Sequence, residues 1–344
     1  MKARLDIGYN AFLTLEQPWK ALEEKVNAIP FIRFEWCKVQ AAFRQQPIVL
    51  SVWSEASCMA ILPLVQKPLS KKLSLPVLTH LCERFTDYQC MLVDSKVEIK
   101  DCLNAMFSLP AFKQFQQLPL LIPYPDAQLF EALSSQSTGI SSLGKYSKVS
   151  YYQHWQHTQY DVSREKLKAK VLREARRRQR KLQEPGNVSI HWSHEYDAAL
   201  IDWILDSSAR RYGDNALTRR ESRDWVQALF AVYRSSLHLA CIKQDGEFIA
   251  GHLGFIYNGT LMYYVPVTSE VGRSHSPGII MLNEIIQHMN ALGVTCIDYL
   301  RGDEDYKADW GNVQEPKCGI FCHPAKGLNI VKPFIYRMWL SRNQ

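Results

Sequence analysis

The chain has 344 residues, 47% of them hydrophobic and 22% charged, which is the make-up of a folded globular protein and excludes a disordered one. That length exceeds what one core organises comfortably, so two domains are expected. The net charge of +7 is local: residues 164–181 hold ten Lys or Arg and two Glu, a balance of +8, so the remainder sums to −1.

No run of eighteen apolar residues occurs, and Asp6 and Asn10 interrupt the start where a signal peptide needs an apolar stretch. A soluble, cytoplasmic protein is expected. The nine cysteines are scattered and form no Cys-x-x-Cys pair, as suits reduced thiols. Cys318, Cys322 and His323 come nearest to a metal cluster but lack a second pair of ligands, so no metal is expected.

Along the chain, Leu15, Trp19, Leu22 and Val26 recur at three- and four-residue intervals and predict a helix over 18–26. A second helix is expected over 35–43. Strands over 48–53, 58–65 and 88–93, a helix over 97–107 and a strand over 119–123 follow. This succession predicts a mixed α/β (α+β) first domain over 1–150, with the Ser-rich stretch 134–142 as a loop or domain edge.

A strand over 151–160 opens the second domain, 151–344. Ser163 is the expected N-cap of a basic helix over 163–183, which Pro185-Gly186 stops. Helices over 197–212 and 220–235 come next, then strands over 238–243, 248–257 and 261–266. Asp245-Gly246 and Asn258-Gly259 separate these strands and predict hairpins, because both central positions favour positive φ. A helix over 278–292 ends at Gly293, and a strand over 294–300 follows.

Two segments carry chemistry. The first is the end of the last strand, Asp298-Tyr299-Leu300-Arg301-Gly302-Asp303-Glu304-Asp305-Tyr306-Lys307, with Trp310-Gly311 beyond. Loops at the carboxyl ends of sheet strands are where α/β proteins place ligands. A solvated acidic turn, with Arg301 paired to a carboxylate, is the alternative. The second is Gly272-Arg273-Ser274-His275-Ser276-Pro277-Gly278-Ile279. Backbone N–H groups at a helix start favour an anion such as a pyrophosphate, and Gly278 permits close approach. Arg273, Ser276, Gly278 and Ile279 are the candidate contacts, although Ser276 as N-cap and Pro277 in the first turn also describe a purely structural helix start.

The run "DYLRGDEDYKADWG" resembles the signature of the CelD-like acetyltransferases, a GNAT group named for cellulose and exopolysaccharide biosynthesis and related to the FemAB transferases. "IPFIRFEWCKVQAAF", "MAILPLV", "DYQCMLV", "REARRRQRKLQEPG" and "SPGIIMLNEII" are similar to further blocks of that family in the same order, so the resemblance covers nearly the whole chain. One departure stands out: the Gln/Arg-x-x-Gly-x-Gly/Ala acyl-CoA loop of ordinary GNAT enzymes is absent as such.

The resemblance implies two tandem GNAT-like acyl-CoA N-acyltransferase domains, the first degenerate and the second active. The reaction it implies is transfer of an acyl group from acyl-CoA, acetyl-CoA foremost, to an amine or hydroxyl of a sugar, amino acid or envelope precursor. Such chemistry needs a proton for the departing thiolate and a base for the attacking group. Tyr306 is the implied general acid, and Glu304, with Asp303 second, the implied base. Asp298, Arg301 and Lys307 are candidate substrate contacts.

Two other functions stay open, an aminoacyl-tRNA-dependent transferase of FemAB type and a non-catalytic subunit of polysaccharide assembly. The basic helix likewise keeps three readings. It binds tRNA, it binds anionic lipid as a peripheral membrane contact, or it is a solvated helix with Leu167, Val171 and Leu182 facing the core. The near-neutral remainder of the chain weighs against a large polyanion.

Overall fold

The computed structural model describes residues 1–44, 46–70, 72, 74–83, 86–134, 146–164, 166–184, 187–193, 196–212, 223–233, 236–270, 276–324, 335–336, 338–339 and 341–342. Two compact units are formed, one by Met1–His154 with Lys317–Gln344 and the other by Trp155–Pro316.

The first unit begins with β1 (Lys2–Ile7), α1 (Tyr9–Leu13), α2 (Glu16–Lys25) and α3 (Phe34–Arg44). Then come β2 (Pro47–Ser54), β3 (Ser57–Pro68), β4 (Pro76–His80), β5 (Leu92–Val93), α4 (Ile99–Phe107), β6 (Leu120–Ile122) and α5 (Ala127–Ser134). β7 (Tyr146–Asp161) leads to the second unit, with α6 (Ala169–Gln183), β8 (Val188–Ser193), α7 (Ala198–Tyr212) and α8 (Arg223–Val232). There follow β9 (Leu237–Gln244), β10 (Glu247–Tyr257), β11 (Thr260–Thr268), α9 (Pro277–Gln287), β12 (Cys296–Arg301), α10 (Asp305–Trp310) and β13 (Val313–Pro324).

The two units repeat one topology. In the first, β1-β2-β3-β4 run antiparallel, β6 joins β4 in parallel after α4, and β13 closes against β6. In the second, β8-β9-β10-β11 run antiparallel, β12 joins β11 in parallel after α9, and β7 closes against β12. Each is thus an antiparallel meander followed by a helical crossover to a parallel strand, a mixed α/β arrangement with helices on the sheet faces.

The central strands are buried without interruption, because helices cover both sheet faces and alternate residues serve the two faces. On β9, Ala240 and Ile242 point into the cluster that α6 and α9 cover with Leu182, Ile280 and Ile285. The opposite face packs on α7, where a Cβ on Gly251 would lie 2.7 Å from Trp203 and 2.8 Å from Ile204. In the first unit, Leu50, Val52, Leu62 and Leu78 pack beneath Leu103, Met106 and Phe107 of α4. Both expected hairpins form, with Asp245 at φ 52 and Gly246 at φ 88, and Asn258 at φ 48 and Gly259 at φ 68.

Three expectations are corrected. The basic helix starts at Ala169 after Lys168, not after Ser163. The Asp161 carboxylate takes both the backbone N–H (2.8 Å) and the hydroxyl (2.6 Å) of Ser163, holding it in a turn. The regular part of α9 ends at Gln287 rather than Leu292; turns closed by Val294 N–H to Met289 C=O (2.8 Å) carry the chain to Gly293 at φ 65. The strand over 88–93 shrinks to Leu92–Val93 with an isolated bridge at Gln89. β1, α1, β4, α5, β8, α10 and β13 are additions to the predicted elements.

Candidate active site at the parted strands

β11 and β12 pair over three positions only, Thr260–Met262 with Cys296–Asp298. Beyond Met262, β11 continues to Thr268 bonded to β10 alone, and β12 continues to Arg301 along β7 with an irregular register. The parallel strands therefore part at their carboxyl ends. α9 starts above β11 there, and the Arg301-Gly302 turn caps β12.

The turn is held from within. Leu300 has φ 58 and Gly302 φ 128, so β12 ends by reversing into the left-handed region. The Asp298 carboxylate, 5% exposed, accepts from the Leu300 N–H (2.8 Å) and Gln159 Nε2 (3.3 Å), and its Oδ1 lies 3.1 Å from His157 Nε2. Asp303 accepts the Gln156 N–H at 2.9 Å. Lys307, almost fully buried, donates to the Arg301 carbonyl at 2.8 Å and to Glu304 Oε2 at 2.8 Å. Glu304 is half exposed. A Cβ on Gly302 would lie 2.3 Å from Glu304 Oε2 and 2.9 Å from Lys307 Nζ, the movable ends of two side chains, and the backbone at φ 128 favours glycine.

Behind the turn stands an aromatic series. Tyr306 meets Tyr299 edge-on at 6.2 Å between centroids, and Tyr299 meets Tyr263 of β11 at 5.9 Å. The Tyr299 hydroxyl donates to the Trp310 carbonyl at 2.8 Å, anchoring α10 to β12. Tyr263 stacks on His252 at 4.1 Å, and His252 Nδ1 lies 3.3 Å from His238 Nδ1. Burial pushes the Tyr263 and Tyr299 hydroxyls to higher pKa and holds His252 well below the ordinary histidine range, with His238 adding to the depression.

At the start of α9, Ser276 occupies the N-cap with φ 50, and Pro277 sits in the first turn. Gly278 packs closely on Thr268, 3.3 Å from where its Cβ would be. The Ile279 N–H is taken by the Ser276 carbonyl at 3.0 Å. The Ser276 hydroxyl does not cap the helix; it accepts a hydrogen bond from Arg178 Nη1 of α6. Gln179 Nε2 ties the same face of α6 to Glu284 of α9 at 2.8 Å. Arg273 and His275 lie outside the described residues.

The structure thus brings Asp298, Arg301, Asp303, Glu304, Tyr306 and Lys307 together at one strand end, and Ser276, Gly278 and Ile279 at the neighbouring helix start. Tyr263 joins them, as do His157, Gln159 and Arg178, which had not been singled out in the sequence. Arg178 had a legible signal: Val171, Ala175 and Leu182 are the inward residues of α6, and Arg178 falls on their three- and four-residue spacing. His157 had none, because its partner lies 141 positions away.

A model of the acetyltransferase (GNAT) domain matches residues 169–308, from the first residue of α6 to α10. No curated protein matches the chain by sequence. Among solved structures, FemX superposes with a TM-score of 0.59 at 13% identity, over 94% of this chain and 98% of that one. L-PGS from Bacillus licheniformis superposes at 0.57 and 9% identity, over 95% and 96%. A C-terminal domain described as that of a lysylphosphatidylglycerol synthetase from Agrobacterium fabrum gives 0.57 at 10%, over 95% of each chain. These likenesses concern the fold: with the repeated topology they give the chain a mixed α/β, GNAT-like fold, and the GNAT domain model falls on its second unit. Among the described residues no helix is long and apolar enough to cross a membrane, and no cluster of three or more metal-ligating side chains occurs.

Proposed function

We propose that the protein transfers an acyl group from an acyl thioester, acetyl-CoA in the first instance, to the amine of a small or saccharide acceptor. The observation that carries this reading is the parting of β11 and β12 beside the start of α9. A thioester arm laid into that opening takes up the edge groups that the strands no longer share, and the phosphate end of the donor meets the helix start. Arg178 supplies positive charge there, and Ser276, Gly278 and Arg273 complete the proposed donor site.

The neutral amine attacks the thioester carbonyl, forming the C–N bond and an oxyanion. Glu304, with Asp303 as second choice, accepts the proton that the nitrogen gives up. Collapse of the oxyanion breaks the C–S bond, and Tyr306 donates a proton to the leaving thiolate, so one proton passes in total from nitrogen to sulfur. Asp298 and Lys307 act by holding the Arg301-Gly302 turn, and Arg301 is the proposed contact to the acceptor.

A second reading, transfer from aminoacyl-tRNA, is favoured by the likeness to FemX over 94% of the chain together with the basic face of α6. Calorimetric titration with acetyl-CoA and with CoA tests the first. Binding of micromolar order, about −8 kcal/mol, weakened by Arg178→Ala and unchanged by Tyr306→Phe, supports it. No heat with either ligand in a folded sample sinks it.

A further inference from the structure

α6 has two charged faces with different partners. Arg178 belongs to its inner edge and reaches Ser276. The outer face carries Lys170, Arg173, Arg176, Arg177 and Arg180, all exposed. Only Arg177 of these has an ion-pair partner among the described residues, Glu174 at 2.7 Å. Arg173, Arg176 and Arg180 repeat at three- and four-residue spacing and form a stripe about 10 Å long. Seven Lys or Arg against one Glu leave α6 with a net charge of +6, which destabilises the isolated helix, a cost that a partner of opposite charge offsets.

Three observations define that partner. The charge is confined to this one segment, since the rest of the chain sums to −1, so the surface suits a compact acidic patch rather than an extended polyanion. The outer face of α6 holds no aromatic side chain to stack on a base and no large apolar one to enter a bilayer. Finally, among the described residues the start of α9 offers few donors. Pro277 has no N–H and the Ile279 N–H is already bonded, which leaves Gly278 alone among residues 277–279. Among the described residues, one guanidinium, which also pairs with Glu174, and one amide match a single phosphodiester.

From these we infer that α6 docks an acidic acyl carrier protein, which presents its thioester on a phosphopantetheine arm. Resting on the thioester reading above, this names the natural donor. A partner seated on the outer face of α6 holds its phosphodiester within about one helix diameter, roughly 10 Å, of Arg178 and the α9 start. The arm then runs into the opening between β11 and β12. Attraction of the stripe speeds encounter and makes it salt-sensitive, whereas the arm supplies the contacts shared with CoA.

The test measures binding and acetyl transfer with four probes: acetylated holo acyl carrier protein, its apo form, acetyl-CoA and bulk tRNA. The wild type is compared with R173E/R176E/R180E, whose fold is checked by thermal melting. The inference expects the acetylated carrier to bind more tightly than acetyl-CoA. It expects the triple variant to lose carrier affinity by at least about tenfold while acetyl-CoA affinity holds. Carrier binding that the triple variant leaves intact overturns it. So does binding of acetyl-CoA alone, in which case the thioester site stands and only the docking surface falls. If neither thioester binds, the site reading fails as well. Retention of tRNA that the variant abolishes, with no carrier binding, reassigns the surface to a polynucleotide.

Discussion

The Lys307 ammonium lies 2.8 Å from both the Arg301 carbonyl and Glu304 Oε2, so a nearly buried cation joins the end of β12 to the half-exposed carboxylate that follows it. The two partners do different work. Lys307 closes the turn from beneath, while Glu304 keeps an oxygen toward solvent. Lys307→Met leaves the Arg301 carbonyl without its donor and is expected to cost about 1–3 kcal/mol in urea unfolding. Glu304→Gln retains an acceptor for Lys307, so the unfolding midpoint should barely move while the transfer rate falls. Equal stability losses in the two variants would contradict this division.

Tyr299 and Tyr306 touch edge-to-face yet separate in the same way. Tyr299→Phe strands the Trp310 carbonyl inside the core and should lower stability by about 1–3 kcal/mol. Tyr306→Phe keeps the ring that packs on Tyr299, so the fold should persist. Loss of a general acid is expected to reduce kcat by roughly 10²–10⁴-fold and to flatten the alkaline limb of the pH–rate profile. A Tyr306→Phe enzyme with wild-type kcat would remove Tyr306 from the chemistry.

Much of this was legible in the chain because it is local. The meander of β9, β10 and β11 announces itself through Asp245-Gly246 and Asn258-Gly259, and the turn after β12 through Arg301-Gly302 and its carboxylates. What stayed hidden is non-local or concerns ends. β13 reads weakly because Gln314, Glu315, Pro316 and Lys317 interrupt it, yet it pairs with β6, whose residues lie some two hundred positions earlier. The start of α6 was misplaced because Ser163 is a good N-cap by type, and only the structure shows Asp161 competing for it. The Asp298–His157 pair and the opening between β11 and β12 depend on strand register, which no spacing within one segment encodes.

Gly302 offers a direct test of the turn. At φ 128 an L-residue is strained, and the added methyl would meet Glu304 and Lys307. Gly302→Ala is therefore expected to destabilise the second unit and to lower activity more than Glu304→Gln does, because it displaces both partners of the ion pair. Differential scanning calorimetry and transfer assays on the same samples would show both effects. An alanine tolerated at wild-type melting temperature and rate would mean that the turn has another conformation within easy reach.

Two buried histidines should make the protein acid-sensitive well above the carboxylate range. His80 of β4 is fully buried, accepts the Cys82 N–H on Nδ1 at 3.1 Å and faces the Cys90 carbonyl with Nε2 at 2.8 Å. Only the neutral ring with its proton on Nε2 satisfies both neighbours. Burial lowers its pKa from 6.5 to about 4, against a smaller opposing effect of the Cys90 carbonyl. His252 is depressed from the same starting value by burial and by His238, whose Nδ1 faces its own. A histidine that titrates lower in the folded state contributes stability that is fully present above its unfolded pKa. That stability is lost as pH falls, because the unfolded chain binds the proton first. For His80 the loss spans pH 6.5 down to about 4 at about 1.4 kcal/mol per pH unit, or about 3 kcal/mol in all. Urea midpoints should therefore drop steadily from neutrality to pH 5 in the wild type, and the slope should shrink in His80→Gln and again in the double variant with His252→Gln. A stability that stays level across that interval, or rises toward acid, would show that these rings take up protons without leaving the folded core.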